Sequence, residues 1–597
     1  MTSYLDHLTK YVYLLTYYFY VFFLLSWVSR WYKDYFQNPR EENMDRNVLI
    51  GGAAGQGMDT VANLFNKVLQ RSGYYVYTTS DYRSRVRGGH NFFQIRFSDR
   101  EISSPRRGLD VIFALNEETL ERHLDRLNED GVSFCDEGIE GFEGTKKYDL
   151  VKKARELGNP KMISTIGLGM LIGRLKIDVK IGEEVVRESF KESLIDGNIK
   201  ALDYGYSITK TDVVPVEARD SILINGNQAV GLGAAAAGCK FYAAYPMTPS
   251  SGVLGFMSSV SDELEIVVDQ CEDEVAALNM ALGASFAGVR AMTGSSGAGM
   301  ALMSEAFSLA GIIETPVVII DVQRPGPATG LPTDTEQADL RFLIHNGHGE
   351  FPRKIIALRS AEDAFYQTAR AFNLADKYQI PVILMSDKEL ADTKVSASPF
   401  DFSKIEINRY LADPKDYEPG TYNRYEVTES GVSPRLIPTR ANGNMVMVDS
   451  DEHDEFGRTS EDAANRIAQV DKRHRKFEGI IADEEEPWEI GVDDFDTLVV
   501  CWGSTYGVVK ESIDLLNEKG HKIKGLVFGD IFPLPLKKFK KFHDMAKKYI
   551  VVEMNKDGQF EGLIRQEALV AADHLITKYD GRPFYLEELV ERLEEVL

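Results

Sequence analysis

Two short segments carry the residue types that could do chemistry. The first is Tyr245-Pro246-Met247-Thr248-Pro249-Ser250-Ser251, and the second runs from Asp321-Val322-Gln323-Arg324-Pro325-Gly326 to Gly330-Leu331-Pro332-Thr333. Thr248 offers a hydroxyl and Arg324 a planar guanidinium, whose fork of N–H donors matches the two oxygens of a small carboxylate. Each segment follows an apolar run, residues 241–244 and 317–320, that reads as a buried strand. Each then breaks into Pro, Gly, Thr and Ser, which turn the chain and cannot continue a strand. Ligands of open parallel sheets bind at loops on the carboxyl ends of strands. The pair therefore calls for an α/β sheet that presents both loops.

Other segments carry weaker signals. Gln270-Cys271-Glu272-Asp273-Glu274 opens a helical pattern that continues to Ala284. The helix dipole alone favours acids there; the functional reading is a carboxylate held rigidly at the helix start, near an interface. Thr293-Gly294-Ser295-Ser296-Gly297-Ala298-Gly299 offers hydroxyls and close backbone approach, for a cofactor or a tight subunit contact. Nearer the N-terminus, the loop from Gly51 to Gly57 separates a strand from a helical pattern beginning at Met58, and another strand follows. That order is a βαβ unit with backbone amides free at a helix start, a ready anion site. The loop is not G-x-G-x-x-G in register and lacks a clear ribose-binding acid, so a nicotinamide is not expected. Its glycines serve close helix–sheet packing equally well. Ser84-Arg85-Val86-Arg87-Gly88-Gly89-His90 is either a phosphate contact or an exposed basic turn. Asp451-Glu452-His453-Asp454-Glu455 has the composition of a metal site, but consecutive residues rarely converge on one ion, and a solvated loop is expected. The motifs of serine hydrolases, zincins and P-loop enzymes are missing from the sequence.

The 597 residues exceed a single core and suggest about three or four domains. Hydrophobic content of 44% with 27% charged residues is ordinary for a soluble protein. A net charge of -24 argues against nucleic acid as a partner. Four cysteines lie singly without metal-site spacing, which fits a reducing cytoplasm and leaves no iron–sulfur cluster expected on this chain. Residues 11–29 are uncharged and long enough to span a bilayer, and Arg30, Lys33 and Arg40 follow them. A signal-peptide cleavage site is missing. The first 43 residues are thus either a membrane-associating extension or sequence upstream of a natural start at Met44. The expected organisation is that extension at 1–43, an α/β domain at 44–212, a doubly wound α/β domain at 221–391, a polar excursion on the outside at 392–494, and a last α/β domain at 495–597.

Taken together, the Tyr245 segment, Glu272-Asp273-Glu274-Val275-Ala276-Ala277, the Thr293 loop and the run from Asp321 to Thr335-Glu336-Gln337-Ala338-Asp339-Leu340 resemble the alpha subunit of 2-oxoacid:ferredoxin oxidoreductases. The Gly51–Gly57 loop and the Ser84–His90 turn resemble the gamma domain that 2-oxoglutarate-type enzymes fuse ahead of alpha. The last hundred residues, with Glu553-Met554-Asn555-Lys556-Asp557-Gly558-Gln559, resemble the transketolase C-terminal-like domain. The resemblance covers about residue 46 to the end. Met247, where the motif often has Ile, is a volume-conserving departure.

The resemblance implies a multidomain α/β fold with a pyrimidine-binding domain of thiamine diphosphate enzymes. It implies a coenzyme A-dependent oxidative decarboxylation of a 2-oxoacid with single electrons passed to ferredoxin, in a cytoplasmic dimer of alpha–beta heterodimers. The beta subunit would hold Mg²⁺ with the cofactor diphosphate and a [4Fe-4S] cluster. Glu274 would contact the aminopyrimidine, with Glu272 as the alternative, and Thr293, Ser295 and Ser296 would line the cofactor. Tyr245, Pro246, Thr248, Ser250 and Arg324 would contact the substrate, and Gly55, Gly57, Arg85 and Arg87 the phosphates of coenzyme A. The favoured substrate is 2-oxoglutarate, with pyruvate, branched-chain and aryl 2-oxoacids as alternatives, and His345 to Glu350 either lines the pocket or forms a surface turn. A reading of another class is a non-catalytic subunit that tethers a redox complex to a membrane.

Overall fold

Short β-branched runs alternate with helical patterns along most of the chain, and they fold into three sheets. The computed structural model describes residues 44–83 and 89–597; the apolar stretch 11–29 and both Arg85 and Arg87 lie outside these. Among the described residues no helix is long and apolar enough to cross a membrane.

The N-terminal sheet runs, edge to edge, Lys146–Tyr148, Leu127–Asp136, Leu109–Ala114, Asp45–Gly52, Asn91–Ser98, Tyr75–Asp81, Lys394–Ala397 and Ile222–Ile224. Asp45–Gly52 and Tyr75–Asp81 are parallel, as a βαβ unit requires, but Asn91–Ser98 lies between them, antiparallel to both. The 14-residue helix Met58–Arg71 spans that gap. It buries Val61, Ala62, Leu64, Phe65, Val68 and Leu69, a helical stripe facing the sheet. Gly57 caps its start at φ 92°, in the left-handed region, and a Cβ there would meet the Ser164 hydroxyl at 2.2 Å. Two constraints therefore demand glycine at 57.

The central sheet runs Asp530–Phe532, Lys354–Ala357, Pro381–Asp387, Val317–Gln323, Arg290–Ser295, Cys239–Ala244 and Val267–Gln270. All neighbours pair in parallel except the antiparallel edge strand Asp530–Phe532. Arg290–Ser295 and Val317–Gln323 are buried at every position, as strands covered by helices on both faces must be. Their polar residues, Thr293, Ser295, Asp321 and Gln323, are thereby carried into the interior.

The third sheet, Trp488–Gly491, Ile523–Phe528, Thr497–Trp502, Lys548–Glu553 and His574–Thr577, is parallel beyond its first strand. Trp502, Phe528 and Phe560 pack in one apolar cluster with Ile355, Ala357 and Met385 of the central sheet.

The polar stretch between these two sheets is less superficial than its composition suggests. Tyr422 and Tyr425 are buried in it. The buried Glu314 receives Lys472 and Lys476, both from the helix Ala463–Ala482, at 2.6 Å each. Burial works to raise the Glu314 carboxyl, but Lys472, Lys476 and Arg424 outweigh it and hold the group well below the usual carboxylate range. The segment around His453 is not the solvated loop expected. His453 is fully buried, 3.8 Å from the Tyr425 ring centroid, and Arg473 reaches Glu452 at 2.8 Å. The helix supplies cations that the local sequence does not show, and among the described residues no group of three or more acid, His or Cys side chains is placed to hold a metal ion.

Candidate functional site

Cys239–Ala244, Arg290–Ser295 and Val317–Gln323 are successive parallel strands, so their loops leave the central sheet at the same carboxyl end. This brings together the Tyr245 segment, the Ser296–Gly299 turn and Arg324. The Arg324 guanidinium donates from Nη1 to the carbonyl oxygen of Thr248 at 2.6 Å. The two loops thus meet through the Thr248 backbone, and Thr248 is half-buried. Asn227 braces the same loop, donating to the Pro249 carbonyl at 3.0 Å. Ser250 is buried, whereas Tyr245 and Pro246 are exposed at the rim. Gly294 lies against this corner: a Cβ there would come within 2.8 Å of the Tyr242 hydroxyl and 2.9 Å of Ser250 Oγ.

Glu274 opens the helix Glu274–Phe286, which Asp273 caps by accepting from the Ala276 amide at 2.7 Å. Capping by the neighbour leaves Glu274 free to turn inward. It is 2% exposed and accepts from Ser295 Oγ at 3.2 Å, while Glu272 is exposed. Gly299 lies so close that an added Cβ would stand 2.6 Å from Glu274 Oε1 and 2.0 Å from Ser295 Oγ. The result is a rigid buried carboxylate framed by a hydroxyl and glycine backbone. Thr293, within the strand Arg290–Ser295, and Ser296, just past its end, are also buried.

A cavity of about 370 Å³ opens beside it, lined by Ser296, Gly297, Ala298, Arg324, Asp339 and Phe342 among others. His345 to Glu350 are not in its lining. Two acids in this region escape a reading of the sequence. Asp321 is fully buried and neither of its oxygens has a hydrogen-bond partner; burial, with Asp339 nearby, pushes its carboxyl well above the ordinary value. Burial also pushes Asp339 up to about 6, against the opposing pull of Arg324 and the Gly297 amide. The Asp339 amide donates to Gln323 Oε1 at 3.0 Å, which ties its loop to the strand end. An acid inside an otherwise apolar strand is the available signal for Asp321. Gly55 and Gly57 stand apart, on the loop after the strand Asp45–Gly52 of the N-terminal sheet.

Three family descriptions match successive parts of the chain. Residues 47–208 match "Pyruvate ferredoxin/flavodoxin oxidoreductase". Residues 232–472 match "Pyruvate flavodoxin/ferredoxin oxidoreductase, thiamine diP-bdg", and 496–589 match "Pyruvate:ferredoxin oxidoreductase core domain II". The 2-oxoacid:ferredoxin oxidoreductase subunit alpha of Sulfolobus sp is 33% identical, over 92% of this chain and 96% of that protein. The 2-oxoglutarate synthase subunit KorA of Methanothermobacter marburgensis is 30% identical, over 63% of this chain and 98% of its own length. Among solved structures, the 2-oxoglutarate:ferredoxin oxidoreductase from Magnetococcus marinus with 2-oxoglutarate, coenzyme A and succinyl-CoA bound superposes with a TM-score of 0.86. It is 32% identical and covers 92% of this chain and 99% of that one. With its fold and its relatives in agreement, this chain belongs to the alpha subunits of the 2-oxoacid:ferredoxin oxidoreductases.

Proposed function

We propose that the chain is the alpha half of a complex that oxidatively decarboxylates 2-oxoglutarate, passing the acyl group to coenzyme A and single electrons to ferredoxin. The observation that carries this reading is the inward carboxylate of Glu274 beside a cavity that Arg324 lines. The Magnetococcus marinus enzyme, bound to 2-oxoglutarate and coenzyme A, supports the choice of substrate.

The residues present fit an aminopyrimidine. Glu274 is buried and anchored by Ser295, and the backbone of Gly299 packs so close to its carboxylate that a side chain at that position would strike it. Thiamine diphosphate, when bound, supplies a carbon nucleophile and a sink for the electron pair left by carbon dioxide. Glu274 would hold a ring nitrogen of the pyrimidine and favour the tautomer that acts as base. Thr293, Ser295 and Ser296 line the cofactor. Arg324, fixed on one side by the Thr248 carbonyl, turns its remaining N–H groups to the substrate carboxylate; its Nε has no protein partner. Tyr245, Pro246, Thr248 and Ser250 complete that wall. The backbone at Gly55 and Gly57, with Arg85 and Arg87, takes the phosphates of coenzyme A.

The beta subunit holds the Mg²⁺–diphosphate site and the [4Fe-4S] cluster in this reading. The surface around Glu274 supports a partner there. The helix Glu274–Phe286 is apolar on most of its circumference, yet Val275 and Met280 are exposed, and Val267 on the adjoining edge strand is 60% exposed. A helix apolar all round belongs in an interior, so this face calls for a second chain. Pairing of the alpha–beta heterodimers in a reducing cytoplasm completes the proposal.

The test is a panel of 2-oxoacids offered to the complex of this chain with its beta subunit, read as coenzyme A-dependent reduction of a ferredoxin. Among them, 2-oxoglutarate is expected to give the highest kcat/KM. A higher value with pyruvate, or with a branched-chain or aryl 2-oxoacid, would overturn the substrate; activity with none would overturn the function.

A further inference from the structure

The acids around Arg324 outnumber the base. Asp321 lies within the strand Val317–Gln323, Arg324 follows that strand, Glu274 comes from the helix start, and Glu336 and Asp339 come from the loop before Leu340. Asp339 and Glu274 both act on Arg324, and Asp339 acts on Asp321 and on Glu336. Asp321 is wholly buried with both oxygens unpartnered, a setting in which an ionised carboxylate is not sustained. Asp339 has a different environment. Its carboxylate rests on Gly297, where an added Cβ would meet it at 2.4 Å, and it lines the same cavity as Arg324. One of its oxygens, Oδ2, and Nε of Arg324 both lack partners.

We propose that Asp339, seated on Gly297 in the cavity that Arg324 also lines, is a positioning residue of the oxoacid pocket: it takes up a proton from solvent when the substrate carboxylate engages Arg324. This rests on the oxoacid reading above. Free of substrate, the ionised Asp339 balances Arg324. An incoming carboxylate brings a second negative charge to the same guanidinium, and repulsion between the two like charges strengthens the hold of Asp339 on a proton. The proton comes from the buffer acid, whose bond to it breaks as the O–H bond of Asp339 forms, and the conjugate base stays in solution.

The sign follows from the value of about 6 to which burial pushes Asp339. Below it the group is already protonated, and binding draws no proton. Above it each bound oxoacid draws up to one, and KM rises by at most about tenfold per pH unit. Burial with both oxygens unpartnered favours the neutral form of Asp321, so Asp321→Asn serves as the control that changes the neighbour and leaves Asp339 in place.

The experiment uses the complex with its beta subunit and 2-hydroxyglutarate, a dicarboxylate that cannot be decarboxylated in the same way. Titration calorimetry at pH 6, 7 and 8 in buffers of different ionisation enthalpy reads the proton uptake. Steady-state kinetics with 2-oxoglutarate over the same range give KM, the parallel measurement on the substrate. The wild type should take up more of a proton as pH rises, with KM climbing. Asp339→Asn should lose both dependences, and Asp321→Asn should keep both. The proposal is overturned if the wild type shows neither uptake nor a climbing KM. It is equally overturned if Asp339→Asn changes KM or kcat while keeping the wild-type pH profile, as a purely structural residue would, or if Asp321→Asn moves the profile. A wild-type complex that binds no dicarboxylate and turns over no 2-oxoacid takes down the parent reading along with it.

Discussion

Ser295, the last residue of a buried strand, donates its hydroxyl to Glu274, the first residue of a helix, at 3.2 Å. This contact joins two elements at the point where the cofactor's ring is proposed to sit, and it fixes the carboxylate before any ligand arrives. Preorganisation of this kind lets a short side chain act on a ring nitrogen without first having to be ordered.

Glu274→Gln keeps the size of the side chain but removes its ability to draw a proton shift in the pyrimidine. Turnover should fall by about 10²- to 10⁴-fold with little change in the KM of the oxoacid. Steady-state rates of the complex check this. Unchanged turnover would move the role to Glu272.

Arg324→Ala removes a charge-assisted contact worth about 1.5–3 kcal/mol, so the oxoacid KM should rise about 10- to 100-fold. Bound thiamine, measured after denaturing the purified complex, should not change. Loss of thiamine instead would contradict a role on the substrate carboxylate.

Gly57→Ala places a Cβ at φ 92°, against Ser164 Oγ. Left-handed strain alone costs about 1–3 kcal/mol. Thermal unfolding should shift down by several degrees, and the KM of coenzyme A should rise if the neighbouring amides hold its phosphates. An unchanged Tm would show that the loop relaxes.

Lys472→Met takes one of two ammonium groups from Glu314, which is buried with them. Breaking a buried ion pair on one side costs about 3–5 kcal/mol, because the charge left behind has no water. Denaturant unfolding should show this loss while the oxoacid KM stays the same. A stability within about 1 kcal/mol of wild type would mean that Lys476 and Arg424 suffice.

Strand ends and the loops beyond them are legible in the sequence because fully apolar runs, such as residues 317–320, announce strands buried on both faces. Arg324 and Thr248 stand out on those grounds, although their contact runs through a backbone carbonyl, which no side-chain type reveals. The interior pairings are not legible. Asn91–Ser98 slips between two strands that the chain order makes neighbours, since order along the chain says nothing of which strand fills a gap. Asp339 reaches Gly297 from a distant loop, and His453 is buried by Tyr425 and covered by a distant helix; both depend on tertiary partners rather than on any local period.

Reconstitution is the most direct test that Glu274 and Arg324 form one wall of a shared site. This chain and its beta subunit are purified separately, and reduction of methyl viologen with 2-oxoglutarate and coenzyme A is followed for each alone and for the mixture. Neither subunit should reduce the dye, and the pair should reduce it rapidly, because each chain carries only part of the site. Full activity of this chain alone, or none from the pair with any 2-oxoacid, would contradict that division.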